Sequence, residues 1–276
     1  MNIAVVALGL IGGSLAKALK EKTGHFVYGY NRSPAVLDAA LSEGAIDAPL
    51  LAEDFSKCDV FLIALYPDDT IAFVREHIGR FKKGAVIIDC AGVKSRICAE
   101  LSPYTKAHGL RFVGGHPMAG IEKSGFAYSF AALFSGASMI LCRSADTDED
   151  ALLVARELLL PLGFSSITVT TPEIHDRTIA FTSQLAHLVS NAYVKSETAS
   201  NQQGFSAGSY KDMTRVAYLN AGMWSQLFFE NKDYLLSEVT SLIARLQEYV
   251  FALEQGDEAC MLQLLEDGVR KKVQRG

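Results

Sequence analysis

Along residues 1–170, short apolar runs alternate with amphipathic segments. The runs at 2–7 (NIAVVA), Phe26–Tyr30 (FVYGY), 59–65 (DVFLIAL), 85–89 (AVIID) and 111–115 (RFVGG) are β-rich, and Ser138–Cys142 and Ser166–Thr170 complete the series. Leu10–Lys22 and the stretches between later runs carry helical spacing. Continuous apolar strands separated by helices belong to a parallel sheet covered on both faces. Because crossovers are right-handed, the pattern predicts a doubly wound α/β domain of Rossmann type.

The texture changes at Thr171-Pro172-Glu173. Thr171 can cap a helix, Pro172 suits its first position, and Glu173 favours its positive end. Beyond it no strand pattern remains. Phe181, Leu185, Leu188, Val189 and Ala192 fall on one predicted helical face, and Leu235, Val239, Leu242, Leu246 and Leu253 form a later seam. The chain therefore divides into an α/β domain at 1–170 and an all-α domain at 171–276. About a hundred residues of long amphipathic helix bury little alone, so the second domain is expected to pair with another copy as a homodimer.

Composition narrows the partners. The chain of 276 residues is 49% hydrophobic and 21% charged, with a net charge of −5, which speaks against nucleic acid or an anionic membrane but not against a small anion in a local basic pocket. Its five cysteines are odd in number and include no CxxC, so no structural metal site and no disulfide scaffold is expected. The apolar start lacks a basic leader and is interrupted by Gly9, Gly12 and Gly13, which argues against a signal peptide, and no apolar run is long enough to span a bilayer. A cytoplasmic protein with reduced thiols is the expectation.

After the first run stands Ala7-Leu8-Gly9-Leu10-Ile11-Gly12-Gly13. A dinucleotide fingerprint needs G-x-G-x-x-G between a strand and a helix; Gly9 and Gly12 match, and Ala7 replaces the first glycine. Gly9 lets backbone approach a pyrophosphate, Leu10 and Ile11 open the helix whose N–H groups face it, and Gly12 permits close helix–strand packing. The second run ends not in the carboxylate that would bind a free ribose but in Asn31-Arg32-Ser33. A neutral Asn31, a phosphate-pairing Arg32 and a donor at Ser33 favour NADP and leave NAD open.

The run at 111–115 leads into Gly114-Gly115-His116-Pro117-Met118-Ala119-Gly120. A parallel strand here ends at the ligand edge of the sheet, so His116 is the candidate general base, titrating near 6 to 7. At this point the sequence resembles the prephenate/arogenate dehydrogenase family of tyrosine biosynthesis. The resemblance rests on GGHPMAG followed by Glu122-Lys123-Ser124, on the LGLIGGSLA opening, on Ser183-Gln-Leu-Ala-His187, and on Gly208-Ser-Tyr-Lys211-Asp212-Met-Thr-Arg215 with Met223-Trp224 after it. These blocks stand in family order over nearly the whole chain.

The resemblance implies oxidative decarboxylation of a cyclohexadienol, with hydride passing to a nicotinamide and the ring carboxylate leaving as CO2. It gives His116 the ring hydroxyl, Arg215 a substrate carboxylate, and Ser183, His187 and Lys211 the substrate pocket. Glu122 and Asp212 would orient Arg215. By pattern alone Arg215 pairs locally with Asp212 and Trp224 belongs to the core. Prephenate is the expected substrate, arogenate the alternative, and neutral Asn220 tilts slightly to prephenate. The chain ends too early for a fused mutase or regulatory domain, so any tyrosine feedback is expected at the active site.

Two departures stand out. The family carries a serine where this chain has Gly92, in Asp89-Cys90-Ala91-Gly92-Val93-Lys94. Losing that hydroxyl removes a hydrogen bond worth about 1 kcal/mol, which Ser95 or a water could replace. With Ala7, this leaves a second reading: a nucleotide-binding sensor without catalysis, which an intact His116 and Arg215 oppose.

Overall fold

The computed structural model describes residues 1–275. The first half contains β1 (Asn2–Val6), α1 (Leu10–Lys22), β2 (Phe26–Tyr30), α2 (Pro34–Ser42), β3 (Ala48–Pro49), β4 (Val60–Ile63) and α3 (Pro67–His77). It continues through β5 (Val86–Asp89), α4 (Ser95–Ala107), β6 (Arg111–Pro117), β7 (Ser138–Cys142), α5 (Glu149–Leu159) and β8 (Ser166–Thr170). The eight strands form one sheet in the order β3-β2-β1-β4-β5-β6-β7-β8.

Period-two alternation explains the two layers. Ile3, Val5, Leu62, Val86 and Ile88 pack with Leu15 and Leu19 of α1 and Leu158 of α5 on one face. Ala4, Val6, Phe61, Ile63 and Ile87 pack with Ile71 and Val74 of α3 and Ile97 and Leu101 of α4 on the other. Burial on both sides is why these runs are continuously apolar.

The sheet is mixed rather than wholly parallel, because β6 and β7 are antiparallel while β7 and β8 are parallel. No α-helix lies between β6 and β7, only short 3-10 turns at Phe126–Tyr128 and Ala131–Phe134. Without a helical crossover the chain returns antiparallel. α5 supplies the crossover from β7 to β8.

The helical half begins where Thr171 accepts the N–H of Ile174 and Pro172 takes the first turn of α6 (Pro172–Ile179). A π-helical turn at Ala180–Leu185 joins it to α7 (Ala186–Tyr193). α8 (Gly208–Thr214), α9 (Ala221–Glu230), α10 (Lys232–Gln255) and α11 (Glu258–Arg275) follow. The wide turn offsets the face expected from an even 3.6-residue period. Leu185 is buried, Leu188 and Val189 are half-buried, and Phe181 and Ala192 lie outside. Among the described residues no helix is long and apolar enough to cross a membrane.

Candidate active site

The loop between β1 and α1 is shaped by backbone sterics. Ala7 has a φ of 69°, the left-handed region where a side chain is strained, and its N–H donates to the Tyr30 carbonyl at 2.8 Å. Gly12 is compulsory: a Cβ there would lie 2.0 Å from the Ala7 carbonyl oxygen. Over Gly9, by contrast, a Cβ would meet nothing within 4 Å, so that side is open to a ligand. Gly9 starts α1 with no side-chain cap, leaving the first-turn N–H groups of Leu10 and Ile11 directed outward. An open glycine, free helix N–H groups and a close strand–helix approach fit a dinucleotide pyrophosphate.

Asn31 is turned inward. Its Oδ1 accepts the Leu8 N–H at 3.1 Å, so the side chain braces the loop from the end of β2. Arg32 and Ser33 are exposed beside it, and among the described residues Arg32 has no carboxylate partner. The end of β2 thus carries, at residues 31–33, an unpaired guanidinium and no acid.

His116 lies on β6, two residues further along a strand that extends to Pro117. Gly115 is needed before it, since a Cβ there would come 2.4 Å from the Asp89 carbonyl oxygen of β5. The His116 Nδ1 is 2.9 Å from Nε2 of His175, and His175 Nδ1 is 2.7 Å from Oδ1 of Asp176. Asp176 is fixed in turn by the N–H groups of Lys94 at 2.8 Å and Ser95 at 2.7 Å, at the start of α4. Beneath them Lys94 and Asp89 form a wholly buried ion pair, and Asp89 also accepts from the N–H groups of Gly115 and Ala91.

Burial, then the neighbouring His175 and Lys94, hold the His116 pKa well below the ordinary histidine value, with Asp176 opposing. The expected titration near 6 to 7 is therefore moved acid-ward. Burial also lowers His175, against its bond to Asp176. A Cβ at Gly92 would stand 3.9 Å from His116 Nε2 and 3.5 Å from Leu227 carbons of α9, so Nε2 faces Gly92. Ser95 does not fill that place: its hydroxyl turns to the Pro172 carbonyl at 3.4 Å.

His175 and Asp176 escaped the sequence reading. Their sequence signal is a His-Asp pair four and five residues into a helix that starts at the strand edge.

In the helical half, His187 Nδ1 donates to the Ser183 carbonyl at 2.8 Å across the wide turn. The His187 ring stacks on Trp224 with centroids 4.0 Å apart. Trp224 is half-buried, so it forms a wall beside His187 rather than part of the core. Burial lowers the His187 pKa; the Ser183 carbonyl raises it, Arg215 lowers it and Glu122 raises it, so all four groups share one neighbourhood. Arg215 pairs with Glu122 at 3.2 Å, and both side chains are largely exposed.

Asp212 is exposed and makes no ion pair with Arg215 among the described residues, so the local pairing read from their spacing is not formed. Lys211 is exposed in the last turn of α8. Asn220 Oδ1 caps α9 by accepting the Met223 N–H at 3.0 Å, which removes the argument that it selects a substrate.

Known proteins can now be set beside this geometry. Residues 15–168 match the family described as prephenate dehydrogenase, nucleotide-binding domain, and residues 171–267 match prephenate dehydrogenase, dimerization domain. A prephenate dehydrogenase of Bacillus subtilis (strain 168) is 30% identical over 266 residues, covering 93% of this chain and 71% of that protein. A cyclohexadienyl dehydrogenase of Zymomonas mobilis is 27% identical, over 99% of this chain and 95% of its own.

Among solved structures, the prephenate dehydrogenase from A. aeolicus in complex with hydroxyphenyl propionate and NAD+ has a TM-score of 0.86 at 27% identity, covering 99% of this chain and 97% of that one. Synechocystis arogenate dehydrogenase has a TM-score of 0.82 at 25% identity, covering 99% and 100%. The two domain matches together span most of the chain, with His116 in the first and Arg215 in the second. The chain belongs to the prephenate dehydrogenase family, with a nucleotide-binding α/β domain followed by a helical dimerization domain.

Proposed function

We propose that this chain is an NADP-dependent prephenate dehydrogenase that converts prephenate to 4-hydroxyphenylpyruvate and CO2 in tyrosine biosynthesis, acting in the cytoplasm as a homodimer. The observation that carries this reading is His116: an imidazole at the ligand edge of the sheet, backed by protein on Nδ1 and with Nε2 facing Gly92. A nicotinamide held at the β1–α1 loop would supply the acceptor for the hydride of the carbinol carbon. His116 takes the ring hydroxyl proton at that stage, and loss of the ring carboxylate as CO2 leaves an aromatic ring.

Arg215 holds the side-chain carboxylate through a planar guanidinium. Glu122 orients it, and Ser183, His187 and Lys211 line the side-chain end, with Asp212 on the same helix. Gly9, Leu10, Ile11 and Gly12 receive the pyrophosphate. Arg32 and Ser33 read the 2′-phosphate, while Asn31 holds the loop beneath them. We set the boundary between the two domains at 170/171.

Arogenate is the second reading, because the Glu122 carboxylate beside Arg215 could meet its ammonium group. The test is to supply each substrate with each cofactor and follow reduced nicotinamide absorbance. Turnover of prephenate with NADP supports the reading. Preference for arogenate or for NAD replaces that part of it, and cofactor binding without turnover on either substrate favours the non-catalytic sensor.

A further inference from the structure

We propose that His175 is a positioning residue that holds His116 with its proton on Nδ1, making the bare Nε2 the atom that takes the substrate proton. The inference rests on the proposed reaction, but its first half concerns this protein alone. Asp176 fixes the order of donors. Its carboxylate accepts the N–H groups of Lys94 and Ser95 and can only accept from His175 as well, so His175 Nδ1 carries hydrogen. A neutral His175 then has a lone pair on Nε2. The atom facing it at 2.9 Å, His116 Nδ1, must donate. That leaves His116 Nε2 without hydrogen, on the side where Gly92 leaves room.

His175 is only 2% exposed, so water does not compete for its bonds. The charged and titratable groups around His116 are Asp89 and Lys94 from the β5–α4 side and His175 and Asp176 from α6. Asp89 and Lys94 neutralise each other, which leaves Asp176 as the anion acting through His175. During reaction the substrate O–H bond breaks: its proton bonds to the Nε2 lone pair, and its electron pair becomes the C–O double bond as the carbinol carbon gives up hydride to the nicotinamide. The imidazolium so formed keeps donating Nδ1–H to His175.

The tautomer is read directly by 15N NMR of the histidine rings at neutral pH, with the His116 signal assigned by its absence in His116→Asn. The expected result is a protonated Nδ1 and an unprotonated Nε2 in the wild type. His175→Leu should lose that preference and lower kcat about 10- to 100-fold, as for a lost bond to a charged group. Its cofactor Kd and prephenate KM should stay within about twofold, because both ring nitrogens of the buried His175 are engaged by His116 and Asp176. His175→Gln, which keeps an acceptor, should recover both the tautomer and most of kcat.

A protonated Nε2 in the wild type overturns the proposal, as does unchanged kcat in the leucine variant. If His175→Leu does not fold, the wild-type spectrum and the glutamine variant still decide. Lack of turnover with the expected tautomer would instead count against the proposed reaction, so the two failures are distinguishable.

Discussion

Ala7 and Gly12 define the cofactor loop at the scale of single residues. A left-handed alanine costs about 1 kcal/mol, partly offset by the greater chain entropy a glycine loses on folding. Ala7→Gly should therefore raise stability by less than about 1 kcal/mol in urea denaturation and leave cofactor affinity intact. Gly12→Ala should do the opposite, since its Cβ would strike backbone 2.0 Å away and force the loop apart; loss of nucleotide binding in a folded protein is the expected readout. At His116 the chemistry itself is at stake. Because burial lowers its pKa, the base stays neutral to lower pH, so the rising limb of kcat/KM against pH should lie below the ordinary histidine range. A limb at or above pH 7 would mean that another group is the base.

At the scale of elements, the exposed loop after β2 gives the cofactor prediction. Arg32→Ala should weaken NADP by about 1–3 kcal/mol and leave NAD nearly unchanged, measured as kcat/KM for both. Equal losses would leave Arg32 a solvated residue. Seven of the eight strands were legible in the sequence as apolar runs, and Thr171-Pro172 announced α6 by its capping chemistry; the two-residue β3 is too short to carry a pattern. Three further things were not legible. The antiparallel return of β7 depends on a missing crossover helix, which no strand pattern encodes. The wide turn at Ala180–Leu185 changes the helical period in mid-segment and moved Phe181 off the expected face. The bracing of Asn31 and the capping by Asn220 are choices of hydrogen-bond partner, and an amide in a loop can turn either way. In the site, the place of His116 at the sheet edge was legible from the glycines before it and Pro117 after it, although these residues are strand rather than the expected loop; the His175–Asp176 support depends on two distant segments meeting.

The whole molecule leaves an apolar surface without a partner in the single chain. Ile243, Leu246, Val250, Phe251 and Leu253 of α10 and Leu262, Leu265 and Val269 of α11 are each half or more exposed. A patch of this kind normally marks an association surface. Light scattering should give twice the chain mass, and replacing Leu246 and Leu253 together with aspartate should yield monomers; a monomeric wild type would refute the dimer. The proposed reaction joins the two halves: a nucleotide loop in one, substrate-binding groups in the other, and His116 as the base between them. Its most direct measurement is the stoichiometry of the reaction in wild type and in His116→Asn. The wild type should give one reduced nicotinamide and one CO2 per prephenate consumed. In His116→Asn kcat should fall by about 10² or more with cofactor affinity retained. Near-wild-type turnover in that variant, or reduced nicotinamide formed without CO2, would contradict it.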